Sequence, residues 1–225
     1  IERLHRRIFL KEIMPANFIS LDIAYKSFLT VDEFLKNNNL ENITITKEQV
    51  KQLTKFIEKY NHHFNMDAIH SFNTMDIGDK TYFNKGINQN IDNTVLQIIE
   101  IKTHFDDLCE NLNKITGEAE NKGIKPHFTN KEGFSLKCGK TKGKKIQEGI
   151  KKMSPEKPPN ECKGLNIDHT QEEFTKLEFK VQSNDMKITS KDFQKKSKQF
   201  DNLQDRLKKQ QNQLFYNLLG EFYEE

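Results

Sequence analysis

Two stretches of helical periodicity flank a segment, Ile124 to Ile188, that has none, and this interruption constrains the fold more than any other feature. Before it, Ile91, Val95, Ile98, Ile99, Phe105, Leu108, Leu112 and Ile115 keep helical spacing up to Gly117, a C-terminal stop signal. After it, Phe193, Phe200, Leu203, Leu207, Leu214 and Leu218 advance in steps of seven, three, four, seven and four. That seam-like stripe predicts one helix from Ser190 to Phe222, 33 residues, with a length of roughly 50 Å at about 1.5 Å per residue.

Inside the interruption the pattern is that of short strands and turns. His127 to Asn130 and Phe134 to Cys138 read as two strands joined through Lys131, Glu132 and Gly133. Gly139 and Gly143 flank an expected turn, and residues 147–170, with Pro155, Pro158 and Pro159, read as a long loop. Phe174 to Val181 alternates as a strand would.

The segment is also where the charge lies. From Lys137 to Lys152 there are seven lysines against one acid, Glu148. Residues 125–200 hold 18 basic and 10 acidic side chains, whereas residues 1–124 hold 15 and 18, and residues 201–225 hold 3 and 5. The whole-chain charge of +3 therefore conceals a basic insertion between mildly acidic flanks. Such asymmetry would orient the insertion on a polyanion. Lysine outnumbers arginine 32 to 4, and lysine holds phosphate as a point charge, without arginine's bidentate fork. No recognition-helix pattern reads base edges, so the implied binding is to phosphate, independent of sequence and strongly salt-dependent. A solvated lysine loop, or the docking insertion of a structural coiled-coil arm, is the alternative reading.

The N-terminal part is ordinary bundle material. Ile1, Leu4 and Ile8, then Phe18, Leu21, Tyr25 and Phe28, predict two helices separated at Pro15. Thr46 followed by Gln49 is a capping-box start for a helix through Val50, Leu53, Phe56, Ile57 and Tyr60. Met75 to Gly86 lacks a period and reads as a loop. Hydrophobic residues at 34% against 31% charged favour an elongated, surface-rich architecture.

Several chemistries are disfavoured. Cys109, Cys138 and Cys162 are odd in number and unpaired in spacing, which indicates neither a disulfide framework nor a zinc site, and points to a reducing, intracellular setting. No apolar run is long enough to span a bilayer, so no membrane partner is expected. Gly139-Lys140-Thr141 has the letters that end a phosphate loop, but five residues separate it from Gly133 where four are needed. Adjacent His62 and His63 diverge on a helix and are poor metal partners. No nucleophile stands with a base, so this chain is expected to bind and not to catalyse. It opens at Ile1 without methionine and closes at Glu225 without a capping signal, which predicts a piece of a longer protein.

The order of elements and several residues resemble the lever and clamp domains of the MutS family of DNA mismatch-repair ATPases. Ile1-Glu2-Arg3-Leu4 with Arg7, then Pro15 and Leu21, resembles the head of that family's helical core. Phe128-Thr129-Asn130 followed by Gly133-Phe134 resembles the clamp hairpin, and Thr189 to Phe222 looks like the returning lever helix. Asn184 and Lys187 fall where the family places an asparagine and an arginine on the DNA backbone. Departures are Lys187 for arginine, Ile188 for tyrosine, and a longer loop from Gln147 to Lys176. Phe56-Ile57-Glu58 has the letters of the family's mismatch reader, but it sits inside a predicted helix.

The resemblance implies a mainly α fold: a helical core and lever in residues 1–123, a β-rich clamp in 124–188 and a returning lever helix in 189–225. It implies double-stranded DNA and a second MutS-like subunit, the same chain or a different one, as partners. It places no cofactor in this chain and expects ATP and magnesium in an ATPase domain of the parent protein. Lys140, Lys142, Lys144, Lys145, Asn184 and Lys187 are the expected backbone contacts, and no catalytic or metal residue is expected.

Overall fold

The computed structural model describes residues 1–40, 43–72, 79–116, 123–129, 132–152, 171–183 and 185–223. Among them it is mainly helical with a small β insertion, as expected, and the strands of that insertion form a four-stranded antiparallel sheet. Chain packing divides it into two units: Ile1–Leu96 with Leu203–Glu225, and Gln97–Asn202.

The first unit contains α1 (Glu2–Phe9), α2 (Asn17–Asn37), α3 (Lys47–His63) and the short α4 (Met66–Ile69). It also takes the start of α5 (Gln89–Thr116) and the end of α8 (Lys191–Tyr223). Pro15 lies between α1 and α2, where it cannot continue a helix. Thr46 and Gln49 close the capping box: the Gln49 amide donates to Thr46 Oγ1 at 3.2 Å and the Thr46 amide to Gln49 Oε1 at 2.9 Å. The core is aromatic, with Phe18 packed against Tyr60, Phe64, Phe215 and Phe222. Phe56, of the Phe-Ile-Glu triplet, packs in α3 against Tyr25, Tyr60 and Phe222. Buried Tyr60 donates to Asp22 Oδ1 at 2.8 Å, which satisfies a hydroxyl that the aromatic core would otherwise strand.

Residues 79–86 have a role that their aperiodic sequence hides. The Asn84 amide nitrogen Nδ2 lies 2.8 Å from the carbonyls of both Asn61 and His62, and so serves open acceptors at the C-terminal end of α3. An isolated bridge pairs Phe64 with Phe83 beside it.

In the second unit, β1 (Lys125–Thr129), β2 (Gly133–Gly139), β3 (Glu178–Val181) and β4 (Asp185–Thr189) form a sheet in the order β1-β2-β4-β3. The β1–β2 register puts Phe128 opposite Phe134 and Thr129 opposite Gly133. Gly133 has φ of 68° and its α-carbon faces Ser197, whose Oγ would collide with any β-carbon there. The same Oγ accepts from the Phe134 amide at 2.7 Å and donates to the Phe193 carbonyl at 2.7 Å, tying the hairpin to α8. Phe134 stacks on Phe105 with centroids 4.2 Å apart, and Phe128, Phe193 and Phe200 complete that core.

Three expectations need correction. The turn expected across Gly139 to Gly143 and the first part of the expected loop are a helix, α6 (Lys140–Lys152). Its buried residues Gly143 and Ile146 sit one turn apart, and a mean spacing of 3.6 makes that stripe sufficient to seat a helix despite two glycines. The strand expected from Phe174 is instead a short helix, α7 (Gln171–Thr175), followed by β3. β4 lies in a segment read only as the approach to the last helix. The expected helices Ile91–Ile115 and Ser190–Phe222 are α5 and α8. Asn130, Lys131, Cys162, Asn184, the three prolines and Met75 to Gly78 lie outside the described residues.

Candidate nucleic-acid interface

Alternation along the strands gives the sheet two unlike faces. Phe134, Leu136 and Cys138 on β2, with Met186 and Ile188 on β4, point to one side and are buried. Lys137 and Lys187, the residues between them, point to the other. Register extends this outer row: Lys125 is opposite Lys137, Lys137 opposite Lys187, and Lys187 opposite Lys180. Four lysines, one per strand, thus stand side by side across the sheet, over about 14 Å at the usual strand spacing.

Like charges directly opposite each other destabilise a sheet, and neighbouring groups offset this row. Glu132 meets Lys187 at 2.7 Å. Glu178 meets Lys180 at 3.7 Å. Lys137 donates to His127 Nε2 at 3.1 Å, which makes the ring an acceptor at that nitrogen. Asp185, two residues before Lys187, shares the face. The hydrogen bond and charge of Lys187 hold the Glu132 carboxyl below the usual carboxylate range. Lys187 is 9% exposed, whereas Lys125 and Lys180 are open to solvent.

The second basic surface is α6, on the other side of the sheet. Gly143 is pressed against Met186 so closely that a β-carbon would collide with it, which fixes the helix over the apolar face. Lys144, Lys145, Lys151 and Lys152 are exposed, and Lys140 is half-buried. Lys144 and Lys151 lie seven residues apart, two turns or about 10.5 Å along one side. Lys140, Lys144 and Lys145, with Glu148, Val181 and Met186, line an open cleft of about 600 Å³. Lys142 is buried at 6% exposure and is no part of the solvent face.

The residues expected to act together are therefore divided. Lys140, Lys144 and Lys145 share α6, Lys142 is turned inward, Lys187 is on the opposite side of the sheet, and Asn184 is outside the described residues. Lys125 and Lys180 were not singled out by sequence reasoning, and Lys137 only as the first lysine of the basic run. A signal for them exists: Leu136-Lys137-Cys138, Phe179-Lys180-Val181 and Met186-Lys187-Ile188 each set one lysine between two apolar residues. In a strand that triplet puts the lysine alone on the face opposite the core.

Other chemistry is weakly represented. Burial pushes the Cys109 thiol up to about 12 and raises the Cys138 thiol as well, so both stay protonated and unreactive at neutral pH. Among the described residues no group of three or more His, Cys, Asp or Glu could hold a metal ion. No described helix is long and apolar enough to cross a membrane.

No family model matches the chain. A search of curated proteins finds a relative in Acanthamoeba polyphaga mimivirus, provisionally named a DNA mismatch repair protein mutS homolog. The chain is similar to that mutS homolog. They are 25% identical over 159 residues, which covers 68% of this chain and 14% of the relative. The similarity supports a MutS-like relationship in general, and the chain corresponds to a small share of the relative's length.

Proposed function

We propose that this chain is the DNA-holding part of a MutS-like mismatch-repair protein, gripping duplex DNA through its phosphate backbone. The observation that carries the reading is the outward display of lysines by α6 in a chain similar to a mutS homolog. Lys140, Lys144 and Lys145 line a cleft open enough to admit phosphate oxygens, with Lys151 and Lys152 extending the surface. Asn184 and Lys187 are the proposed further contacts. The helices α5 and α8 would act as the lever, and a second MutS-like subunit would complete the clamp. ATP hydrolysis, with its magnesium, would belong to other parts of the longer protein, so this chain binds without catalysing.

Fluorescence anisotropy with a labelled 30-base-pair duplex tests this. Affinity should fall with salt, with a log–log slope of roughly −0.9 per phosphate neutralised. Changing Lys140, Lys144 and Lys145 to glutamate should flatten that slope by roughly 2 to 3. Absence of binding at low salt, or an unaltered slope in the variant, would overturn the reading. The alternative, a coiled-coil arm whose insertion docks an acidic protein, predicts capture of that protein with no competition from duplex.

A further inference from the structure

We infer that the outer face of the sheet is a second, latent phosphate-binding surface, centred on Lys187 and held silent by the Glu132 carboxylate. The inference rests on the DNA-holding reading above, and adds to its Lys187 contact three further lysines, Lys125, Lys137 and Lys180, and a control by Glu132.

Three observations converge. Lys125, Lys137, Lys187 and Lys180 occupy one cross-strand row, although they come from four separate strands. A row of like charges opposes folding, and three of these lysines sit in strands otherwise apolar at the flanking positions. The charge most central to the row is also the one withdrawn: Lys187 is 9% exposed and meets Glu132 at 2.7 Å.

Glu132 is suited to a removable cover. Its side chain is 56% exposed, so it can swing into water without unpacking the core. It is anchored in the turn just before Gly133, where the hairpin enters β2, and its contact reaches from that turn to Lys187 on β4. A phosphate oxygen arriving at Lys187 would replace one anionic acceptor with another, and the charge-assisted hydrogen bond to the ammonium would be kept. The released carboxylate regains hydration. Lys125, Lys137 and Lys180 would then serve neighbouring phosphates of the same backbone.

The two lysine surfaces also differ in their state. The one acidic residue of α6 is Glu148, which lines the cleft with Lys140, Lys144 and Lys145. On the sheet, Glu132, Glu178 and Asp185 share the face with four lysines. The helix is thus a basic surface and the sheet a nearly neutral one, which loss of the Glu132 contact would turn basic.

The experiment is a charge cycle in the full chain, read by duplex anisotropy between 50 and 200 mM salt. Glu132→Gln should tighten binding several-fold at the lowest salt and steepen the salt slope by roughly 0.9. In the double variant Glu132→Gln with Lys187→Gln, the gain from Glu132→Gln should vanish. Unchanged or weaker binding by Glu132→Gln would overturn the inference, as would a gain that survives without Lys187. Lys187→Arg, which keeps the charge, should retain the gain and guards against a packing effect. Duplex binding by the unaltered chain with no response to Glu132→Gln defeats this inference alone, whereas failure of both proteins to bind defeats the DNA reading too. A polyglutamate peptide that binds Glu132→Gln more tightly than duplex would also overturn it, by showing an acidic-protein surface in place of a phosphate one.

Discussion

Helix α6 and the outer sheet face reach a similar lysine content by opposite routes. On α6 the lysines are neighbours in sequence, and the helix scatters them: Lys144 and Lys145 reach solvent while Lys142, two residues earlier, is buried. On the sheet they are up to 62 residues apart, Lys125 to Lys187, and strand pairing collects them into one row. Density along a chain is therefore a poor guide to density in space. A helix spreads consecutive residues by about 100° each, whereas a sheet aligns distant ones at about 4.8 Å.

The strongest way to break the comparison is to dismantle the sheet. Gly133→Ala should cost about 2–4 kcal/mol, because the positive φ strains an alanine and its β-carbon collides with Ser197. Chemical denaturation should report that loss, and a cost under about 1 kcal/mol would mean that the hairpin does not depend on this close approach. Next in size is the inequality within α6. Lys142→Glu should destabilise by about 2 kcal/mol or more through its burial, while Lys144→Glu should stay within about 0.5 kcal/mol. Equal effects in thermal unfolding would deny that the two lysines occupy different environments.

A smaller effect separates function from stability on the sheet. Lys137→Thr removes one of the opposed charges and should stabilise the fold by about 0.2–1 kcal/mol at low salt, with the gain fading as salt screens the row. If the row is a phosphate surface, the same change should weaken duplex binding by Glu132→Gln. Loss of stability at low salt would contradict the repulsion. The last expectation concerns the inner face. Cys109, raised to about 12 by burial, stays protonated in the folded chain where an unfolded chain would ionise. Its contribution to stability is complete below the ordinary thiol value and is lost as pH rises towards about 12. Peptide mapping after brief alkylation at pH 8 should find Cys109 and Cys138 unlabelled, and rapid labelling would place them at the surface.

Long-period features were legible before any coordinates. The spacing of Ile91 to Ile115 and the seam from Phe193 to Leu218 describe α5 and α8, since a long helix repeats its signal many times. Thr46 and Gln49 marked the start of α3 because a capping box is a local interaction. The first hairpin was legible through Phe128, Gly133 and Phe134, where register needs few residues. α6 was hidden by glycines that normally signal turns, and Gly143 is there because Met186 leaves no room for a side chain. β4 was hidden by its brevity, five residues with no alternation long enough to register.

By itself the sequence determined where the long helices run, that a short β-rich segment interrupts them, and that this segment is basic. These follow from periodicity and charge, which are properties of a chain read in order. Tertiary structure decided which lysines are surface, which are buried, and which meet. Lys142 went inward, Lys187 met Glu132 across the hairpin, and four strands aligned Lys125, Lys137, Lys187 and Lys180. The physical reason is that strand order and register are set by burial of the apolar residues on the opposite face. The lysines' neighbours are fixed by hydrophobic packing in which the lysines take no part.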